Sequence, residues 1–287
     1  THANLATELQ TGRKFRLRSR GIDIVGNEQS VFTTGISSLT FSMDKTAPTT
    51  TIEQPAYIGG EPTTNVYKPS QLSGANALSG ESEDGPGTPM NTATGIKSGD
   101  DGIELNLSYL YAGNTYYWNT ISFSSTTTES AEWRITDKTY HVSSAAWLFN
   151  FNTNDWVSDR SYTLKVRSRD KPTTAGSPGT LDSNLETSFG TNNERKFIVD
   201  ATTPSARIST PAANGFVGSL TMIGGTANGD LSGLKVQASS GVRVRLFYTG
   251  GDGNYFWDTV ALEFSSTTTK DLMLPDYSST VGTVTWT

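Results

Sequence analysis

The residues that come nearest to a metal site are four aspartates. Asp100 and Asp101 are adjacent in a Gly- and Asp-rich stretch, and Asp44 and Asp200 occupy matching positions shortly before a proline. Carboxylate oxygens suit calcium, so these four residues are the candidate calcium ligands. None has the regular loop spacing of a dedicated site, and the simpler interpretation of Asp44 and Asp200 is that each caps a turn. The sequence therefore predicts no cofactor, with calcium as the alternative.

Catalytic chemistry has few residues to draw on. The 287 residues include no cysteine, which excludes disulfide frameworks, thiolate metal sites and cysteine nucleophiles. The two histidines, His2 and His141, lie at the start of the sequence and inside a repeated segment, so neither forms a credible Ser/His/Asp arrangement. The carboxylate pairs are scattered along the chain. We therefore predict that the protein is not an enzyme.

Aromatic side chains could form a sugar-binding platform, because their faces stack on the apolar faces of sugars. The aromatic run at 116–118 recurs at 255–257, however, and a repeated position favours core and hairpin packing. Trp133 and Trp156 have no clear counterpart elsewhere in the chain. We expect these two residues to lie at the surface, where they are the candidates for contact with a ligand such as a glycan.

The charge balance excludes several kinds of partner. The formal net charge is −6, so the chain has no basic field that would hold nucleic acid or an anionic membrane. The one cationic cluster, at 13–20, alternates with apolar residues and is typical of a solvated or salt-bridged sheet face. No run of 18 apolar residues occurs, so we predict no membrane-spanning segment. The Thr/Ser/Asn/Gly-rich acidic composition favours an exported protein.

The elements that position these residues are strands. Apolar residues alternate with polar ones at 15–19, 103–109, 162–166 and 242–248, and Gly/Asn-rich clusters separate the runs. A period of two means one buried and one wet face, as in antiparallel sheets. Many short strands with such punctuation predict an all-β fold built from β-sandwiches.

The chain repeats itself in a fixed order. An Asp-x-Thr-x-Pro-like junction occurs at 44–48 and 200–204, and an Ile-x-x-Pro opening at 52–55 and 208–211. An aromatic hairpin recurs at 114–118 and 253–257, a Phe-Ser-Ser-Thr-Thr-Thr run at 123–128 and 264–269, and a strand ending in Trp at 144–147 and 283–286. Finally, 13–23 aligns with 160–170. A common order of this kind indicates tandem copies of one domain.

These motifs resemble the tandem immunoglobulin-like repeats of large secreted bacterial surface proteins. The likeness runs from the Phe/Tyr-x-Leu strand through Gly26-Asn27-Glu28 to the Asp-x-Thr-x-Pro junction, which is its most specific element. The second copy departs from it, with Lys171-Pro-Thr-Thr in place of Gly-Asn-Glu. The resemblance implies an immunoglobulin-like sandwich used as a spacer or building block at the bacterial cell surface or outside the cell, and no catalytic residues.

The phase of the repeat predicts one complete and two partial domains. Residues 1–46 correspond to the C-terminal strands of an immunoglobulin-like domain, 47–203 to a complete domain with insertions, and 204–287 to the N-terminal strands of a third. Tyr162 follows Trp147 by 15 residues, and Phe15 of a second copy joined after residue 287 would follow Trp286 by 16. Either the sequence is a window on a longer array, or copies of the chain complete one another head to tail by strand complementation, which gives a filament.

In the second interpretation, the self-assembly residues lie at the two ends. We expect Phe15 and Leu17 of one copy to fill the core beside Leu246, Val284 and Trp286 of the next, because these residues would otherwise be exposed. The predicted function is that of a structural extracellular protein in a surface fibre or repeat array, whose partners are copies of itself. The alternative is an adhesin or carbohydrate-binding module on a surface stalk, with glycans as partners.

Overall fold

The computed structural model describes most of the chain, and it is all-β. The described residues are 5–63, 65–85, 95–96, 102–125, 128–129, 132–135, 137–140, 144–170, 184–229, 232–234, 241–251, 253–258, 261–265, 272–273 and 282–287. Within these ranges, the helical segments include the single turn Leu5–Glu8 and the short 3₁₀ turns Pro69–Leu72 and Thr153–Asp155. The prediction of an all-β fold is confirmed, and the several sheets are compatible with a β-sandwich.

Strands follow one another along the whole of the described chain. The first thirteen of them are β1 (Arg13–Arg18), β2 (Ser38–Met43), β3 (Thr49–Gln54), β4 (Val66–Tyr67), β5 (Gly74–Glu83), β6 (Ile103–Tyr111), β7 (Asn114–Trp118), β8 (Phe123–Ser124), β9 (Arg134–Ile135), β10 (Asp137–Tyr140), β11 (Ser144–Phe151), β12 (Arg160–Ser168) and β13 (Glu194–Val199). The others are β14 (Ser205–Thr210), β15 (Gly224–Asn228), β16 (Arg243–Val244), β17 (Phe247–Gly250), β18 (Gly253–Asp258), β19 (Glu263–Ser265), β20 (Leu272–Met273) and β21 (Thr283–Trp286).

The chain divides into two compact units. The first contains Thr1–Trp156 with Arg160–Phe197, and the second contains Val157–Asp159 with Ile198–Thr287. The predicted boundaries at 46/47 and 203/204 follow the sequence repeats and stay a prediction.

Two sheets form the larger part of the first unit. One has the strand order β10-β11-β5-β3, and the other has the order β4-β13-β12-β6-β7-β8, with β9 beside β6. The alternation seen in the sequence buries one face of each strand: Leu105, Leu107, Leu164 and Val166 are fully buried. Strand β12 pairs with β6 over seven residues, so that Tyr162 lies opposite Tyr109 and Arg167 opposite Glu104.

A buried polar bridge joins the two sheets of this unit. The Thr50 Oγ1 hydroxyl donates to Ser168 Oγ at 2.9 Å, which links β3 to β12. Beside it, the Glu186 carboxylate accepts hydrogen bonds from the backbone N–H of Thr50 at 3.1 Å, the backbone N–H of Ser168 at 3.3 Å and the Asn193 side-chain amide at 2.9 Å. Burial raises the pKa of Glu186 above its ordinary value of 4.5, although these hydrogen bonds lower it in part.

This raised pKa predicts a pH dependence of stability. The folded unit holds the Glu186 proton more tightly than the unfolded chain does, so this contribution is fully present below pH 4.5 and is lost as the pH rises through the folded-state pKa. We expect the urea midpoint of the wild type, relative to Glu186→Gln, to fall across that range. Urea titrations of both proteins from pH 4 to 8 check this. A difference that is flat or rises with pH contradicts it.

The described part of the second unit contains three smaller sheets. Their strand orders are β14-β15-β21, β16-β20 and β17-β18-β19. A core of buried side chains belongs to this unit alone: Ala227, Leu234, Val242, Val244, Val284 and Trp286, with Ile223 packed against it. The second unit thus has its own apolar centre.

Strands β1 and β2 form an antiparallel hairpin within the first unit. Phe15 lies opposite Phe41 and Leu17 opposite Leu39. The rings of Phe15 and Phe41 stack with their centroids 5.6 Å apart. Leu17 is 60% exposed and Leu39 is exposed as well, so one apolar face of the hairpin is largely uncovered.

Candidate interaction site

The complete sheet of the first unit shows how its aromatic face is covered. Tyr109 on β6 stacks on Tyr116 on β7 with 5.0 Å between ring centroids, and Phe123 on β8 lies 5.0 Å from Tyr109. Tyr162 on β12 then packs edge-on against Tyr109 at 5.4 Å and against Phe123 at 5.5 Å. As a result Tyr162 is 0% exposed and Tyr109 is buried.

The second unit reproduces this aromatic cluster without its cover. Tyr248 on β17 stacks on Tyr255 on β18 at 4.9 Å, and Phe264 on β19 lies 5.1 Å from Tyr248. The Trp257–Phe264 distance, 5.2 Å, equals the Trp118–Phe123 distance in the first unit. In contrast to Tyr109, Tyr248 is 49% exposed and Phe264 is 37% exposed. We call the exposed rings of Tyr248 and Phe264, with the segment 243–250 that contains β16 and β17, the open edge.

Strand pairing confirms that 243–250 corresponds to 104–111. In the first unit, Tyr109 lies opposite Tyr116 and Glu104 opposite Ile135. In the second, Tyr248 lies opposite Tyr255 and Arg243 opposite Met273, which are the same two pairings. Strand β6 has a further partner, β12, on its other side. Among the described residues, 243–250 has no strand on that side.

Val284 and Trp286 do not line the open edge, contrary to the expectation from sequence. Trp286 is 1% exposed, and both residues pack in the core of their own unit. The reason is a glycine: Trp286 lies opposite Gly225, as Trp147 lies opposite Gly80, and each indole occupies the space over its glycine.

Among the predicted acceptor residues, Leu246 lies closest in sequence to the open edge. Leu246 is half-buried and lies just before β17. Its carbonyl accepts a hydrogen bond from the Trp257 N–H at 3.0 Å. Tyr248 and Phe264 are exposed aromatic residues that are not among the predicted self-assembly residues. The internal repeat could have identified these two residues, because Tyr248 and Phe264 are the counterparts of Tyr109 and Phe123. In the first unit, Tyr109 and Phe123 form one cluster with Tyr162.

The hairpin β1–β2 has the hydrogen-bonding pattern of β12–β13 and its flanking residues. Gly12 N–H donates to Met43 O at 2.9 Å, and Asp159 N–H donates to Val199 O at 2.8 Å. Both donors have a positive φ, 73° for Gly12 and 60° for Asp159. Seven residues further on, Ser19 N–H donates to Ser37 O as Val166 N–H donates to Asn193 O, each at 3.0 Å. The hairpin is therefore built like the pair of strands that covers the complete sheet.

The side chains of the two strand pairs also correspond. Tyr162 stacks on Phe197 at 5.6 Å, the same centroid distance that separates Phe15 from Phe41. Tyr162 and Leu164 are fully buried, whereas Phe15 is half-buried and Leu17 exposed. Phe15 and Leu17 thus lie on one face of the hairpin, and that face is largely uncovered.

Comparisons with protein-family models, curated proteins and solved structures found no match. No helix within the described ranges is both long and apolar enough to cross a membrane.

The two tryptophans proposed as ligand contacts differ in their surroundings. Trp156 is 6% exposed, and its indole N–H donates to the carbonyl of Leu72 at 2.7 Å. The expectation that Trp156 lies at the surface is therefore wrong, since the side chain closes the core beside Phe151 and Tyr162. Trp133 is half-buried and stacked on Phe189 at 5.7 Å. The Arg167 guanidinium lies 3.8 Å from the Trp133 ring centroid, so the ring already has two partners.

The predicted calcium ligands are turn caps where the structure describes them. Asp44 Oδ1 accepts the Thr46 N–H at 3.0 Å, and Asp200 Oδ1 accepts the Thr202 N–H at 2.7 Å. These bonds confirm the turn-capping interpretation of both aspartates. Asp100 and Asp101 lie outside the described residues. In the part of the chain that is described, no three His, Cys, Asp or Glu residues come together as a metal site.

Proposed function

We propose that this protein is a structural building block of an extended array of immunoglobulin-like β-sandwiches at the bacterial cell surface. In this array the terminal hairpin of one repeat completes the open unit of its neighbour. The neighbour is either the next repeat of a longer chain or a further copy head to tail. The proposal assigns the chain a mechanical, non-enzymatic role outside the cell, which its cysteine-free, Thr/Ser-rich acidic composition favours.

One observation carries the proposal: strands β6–β8 together with β12–β13 contain both halves of the interaction that the segment 243–250 and the hairpin β1–β2 present separately. Strand β12 covers Tyr109 and Phe123, which correspond to the exposed Tyr248 and Phe264. The hairpin β1–β2, which matches β12–β13 in hydrogen bonding and ring stacking, has an uncovered apolar face. This correspondence supports a pairing of the two in the register that Tyr162 and Tyr109 already adopt.

The energetics favour completion. Each large apolar side chain that becomes fully buried contributes about 1.5–3 kcal/mol. Phe15, Leu17, Tyr248 and Phe264 would each gain burial, and the edge of 243–250 would gain backbone hydrogen bonds. Strand addition of this kind obtains affinity from main-chain pairing and specificity from the alternate side chains that enter the core.

A chain extended by one hairpin tests the proposal. We expect residues 1–46 appended directly after Thr287 to pair with 243–250, because the loop from Trp286 to the new Phe15 is one residue longer than the loop from Trp147 to Tyr162. Amide hydrogen exchange of 243–250 should then slow by at least about tenfold relative to the unextended chain, as expected for amides that join a ladder.

The matched control carries Phe15→Asp and Leu17→Asp in the appended copy only. Two carboxylates in a buried apolar face are not tolerated, so this control should exchange like the unextended chain. Equal protection in the extended chain and in the control would contradict the proposal.

A further inference from the structure

In the first unit, the start of β13 and the residues before it cover the outer edge of strand β3. The Ile52 N–H donates to the Asn192 carbonyl at 2.8 Å, and the Ile52 carbonyl accepts a hydrogen bond from Arg195 Nη2 at 2.8 Å. Thr50, two residues earlier, takes part in the buried polar bridge described above. Thr50 and Ile52 are 1% and 3% exposed as a result. The strand pair β12–β13 is therefore hydrogen-bonded to both sheets of this unit.

Strand β14 of the second unit is built like β3 but lacks its cover. Ile208 corresponds to Ile52 and Ala206 to Thr50, because both strands have the same register against their neighbour, including the irregularity that follows the isoleucine. Ile208 is nevertheless 56% exposed, and Ala206 is exposed as well. Among the described residues, β14 pairs with β15 and has no strand on its other side. We call Ala206 and Ile208, with the backbone of β14 that joins them, the β14 edge.

The loop between β1 and β2 is built like the segment that covers β3. The Gln29 N–H donates to the Gly21 carbonyl at 2.9 Å, and the Gln29 side-chain oxygen Oε1 accepts the Gly21 N–H at 3.3 Å. Glu186 makes the same two hydrogen bonds with Ser168, at 3.0 Å and 3.3 Å. Gln29 therefore holds the position of Glu186, and Gly21 holds that of Ser168.

A pair of an aspartate and an asparagine begins this loop in both places. The Asn27 N–H and side-chain amide both donate to the Asp23 carboxylate, each at 2.8 Å. The Asn184 N–H and side-chain amide donate in the same way to the Asp170 carboxylate, each at 2.6 Å. The two loops thus share their fixed points, although their sequences differ.

The end of the loop and the start of β2 follow the same correspondence. The hydrogen bond that Ser37 accepts from Ser19, given above, places Ile36 at the position of Asn192 and Leu39 at that of Arg195. Leu39 is 51% exposed, whereas Arg195 is 5% exposed. The hairpin therefore has the groups that β14 needs, and they are largely uncovered.

The residue types on the two surfaces are complementary. Thr50 and Ser168 share one buried hydroxyl hydrogen bond, whereas their counterparts Ala206 and Gly21 both lack a hydroxyl group. A hydroxyl retained on one side alone would be buried without its partner, which costs free energy. The loss of the hydroxyl on both sides together is expected if Ala206 and Gly21 meet in a completed sandwich.

We infer that the β14 edge is a second docking site, and that the loop between β1 and β2 of the incoming hairpin occupies it. This inference rests on the proposed function and extends the interface from one sheet of the second unit to both. Gln29 Oε1, which has two lone pairs, accepts the Ala206 N–H. The Ile36 carbonyl accepts the Ile208 N–H, and Leu39 covers the Ile208 side chain. The incoming hairpin therefore closes the second unit as β12–β13 closes the first.

Hydrogen exchange of the extended chain measures the β14 edge separately from the open edge. We expect the amides of Ala206 and Ile208 to exchange at least about tenfold more slowly than in the unextended chain, like those of 243–250. Protection of 243–250 with unchanged exchange at these two amides would overturn the inference and leave the proposed function standing. Unchanged exchange of both segments would contradict the proposed function and the inference together.

A double-mutant cycle tests direct contact between the two surfaces. Its members are the extended wild type, Gly21→Ser in the appended copy, Ala206→Thr in β14, and both together. Serine fits at residue 21, because Gly21 needs no positive φ and an added Cβ would meet only the Gln29 side chain, at 4.0 Å. The pair restores the hydroxyl bond of the first unit, so the double variant should hold the appended hairpin about three- to tenfold more tightly than the two single effects combined. Additive effects would overturn the inference.

Ile208→Asp tests the apolar part of the same contact. The unextended chain should tolerate this substitution, because Ile208 is already more than half exposed. In the extended chain the carboxylate enters a buried contact, so the protection of the β14 edge should be lost. Ser205→Asp is the matched control, since it adds the same charge to an exposed position of β14 whose counterpart, Thr49, is exposed too. The control should keep protection within about twofold, and equal effects of the two substitutions would overturn the inference.

Discussion

Gly80→Ala is expected to destabilise the first unit by about 3 kcal/mol. A Cβ at residue 80 would overlap the carbonyl oxygen of Thr51 and lie 2.8 Å from the ring of Trp147. Neither can withdraw easily, because Thr51 belongs to β3 and Trp147 is fully buried with its indole N–H donating to the same carbonyl at 3.2 Å. Urea unfolding followed by hydrogen exchange of first-unit peptides measures the loss.

Gly85→Ala is the matched control for this substitution. Gly85 is exposed, a methyl group added to it would have no neighbour within 4 Å, and its backbone needs no positive φ. Its replacement should therefore change stability by less than about 1 kcal/mol. Gly225→Ala should affect the second unit as Gly80→Ala affects the first, since the new Cβ would lie 2.5 Å from the Trp286 ring. Equal stability of Gly80→Ala and Gly85→Ala would contradict the packing described here.

Tyr162→Ala is expected to remove about 3–5 kcal/mol from the first unit, whereas Phe15→Ala should remove about 1 kcal/mol or less. The two residues hold equivalent positions, but Tyr162 packs against the rings of Tyr109, Phe123, Trp156 and Phe197. Phe15 is half-buried against Phe41. The difference between the two losses measures the contribution of covering the aromatic cluster.

The same pair of substitutions gives a second comparison in the extended chain. Phe15→Ala in the appended hairpin should then resemble Tyr162→Ala, because that ring gains the contacts that Tyr162 has. Denaturant titrations of the three variants and of the two parent chains, unextended and extended, provide the comparison. Equal losses for Tyr162→Ala and Phe15→Ala in the unextended chain would mean that Phe15 is already covered, and would contradict the account of an open edge.

Periodicity and repetition were sufficient to predict the all-β fold and the correspondence of its strands. Alternation at 103–109 and 162–166 marked strands that pair in the complete unit, and the repeated aromatic run at 114–118 marked a hairpin that recurs at 253–257. Asp44 and Asp200 could be interpreted correctly from sequence, because a short carboxylate before Thr-x-Pro bonds to its own backbone.

Contacts between strands that are distant in sequence could not be predicted in the same way. Trp286 was assigned to the assembly face, yet it packs over Gly225, a pairing that depends on the register of β15 and β21. Trp156 has no repeat counterpart, which says nothing about exposure, and its ring closes the core.

A structure determination of the extended chain tests the central claim most directly. We expect the ring of Phe15 in the appended hairpin to pack against Tyr248 and Phe264 at the distances of about 5.5 Å that Tyr162 keeps from Tyr109 and Phe123. Segment 243–250 should be hydrogen-bonded on both sides, with Tyr248 buried. A structure in which Tyr248 stays about half exposed, while the appended Phe15 contacts only its own Phe41, would contradict the account.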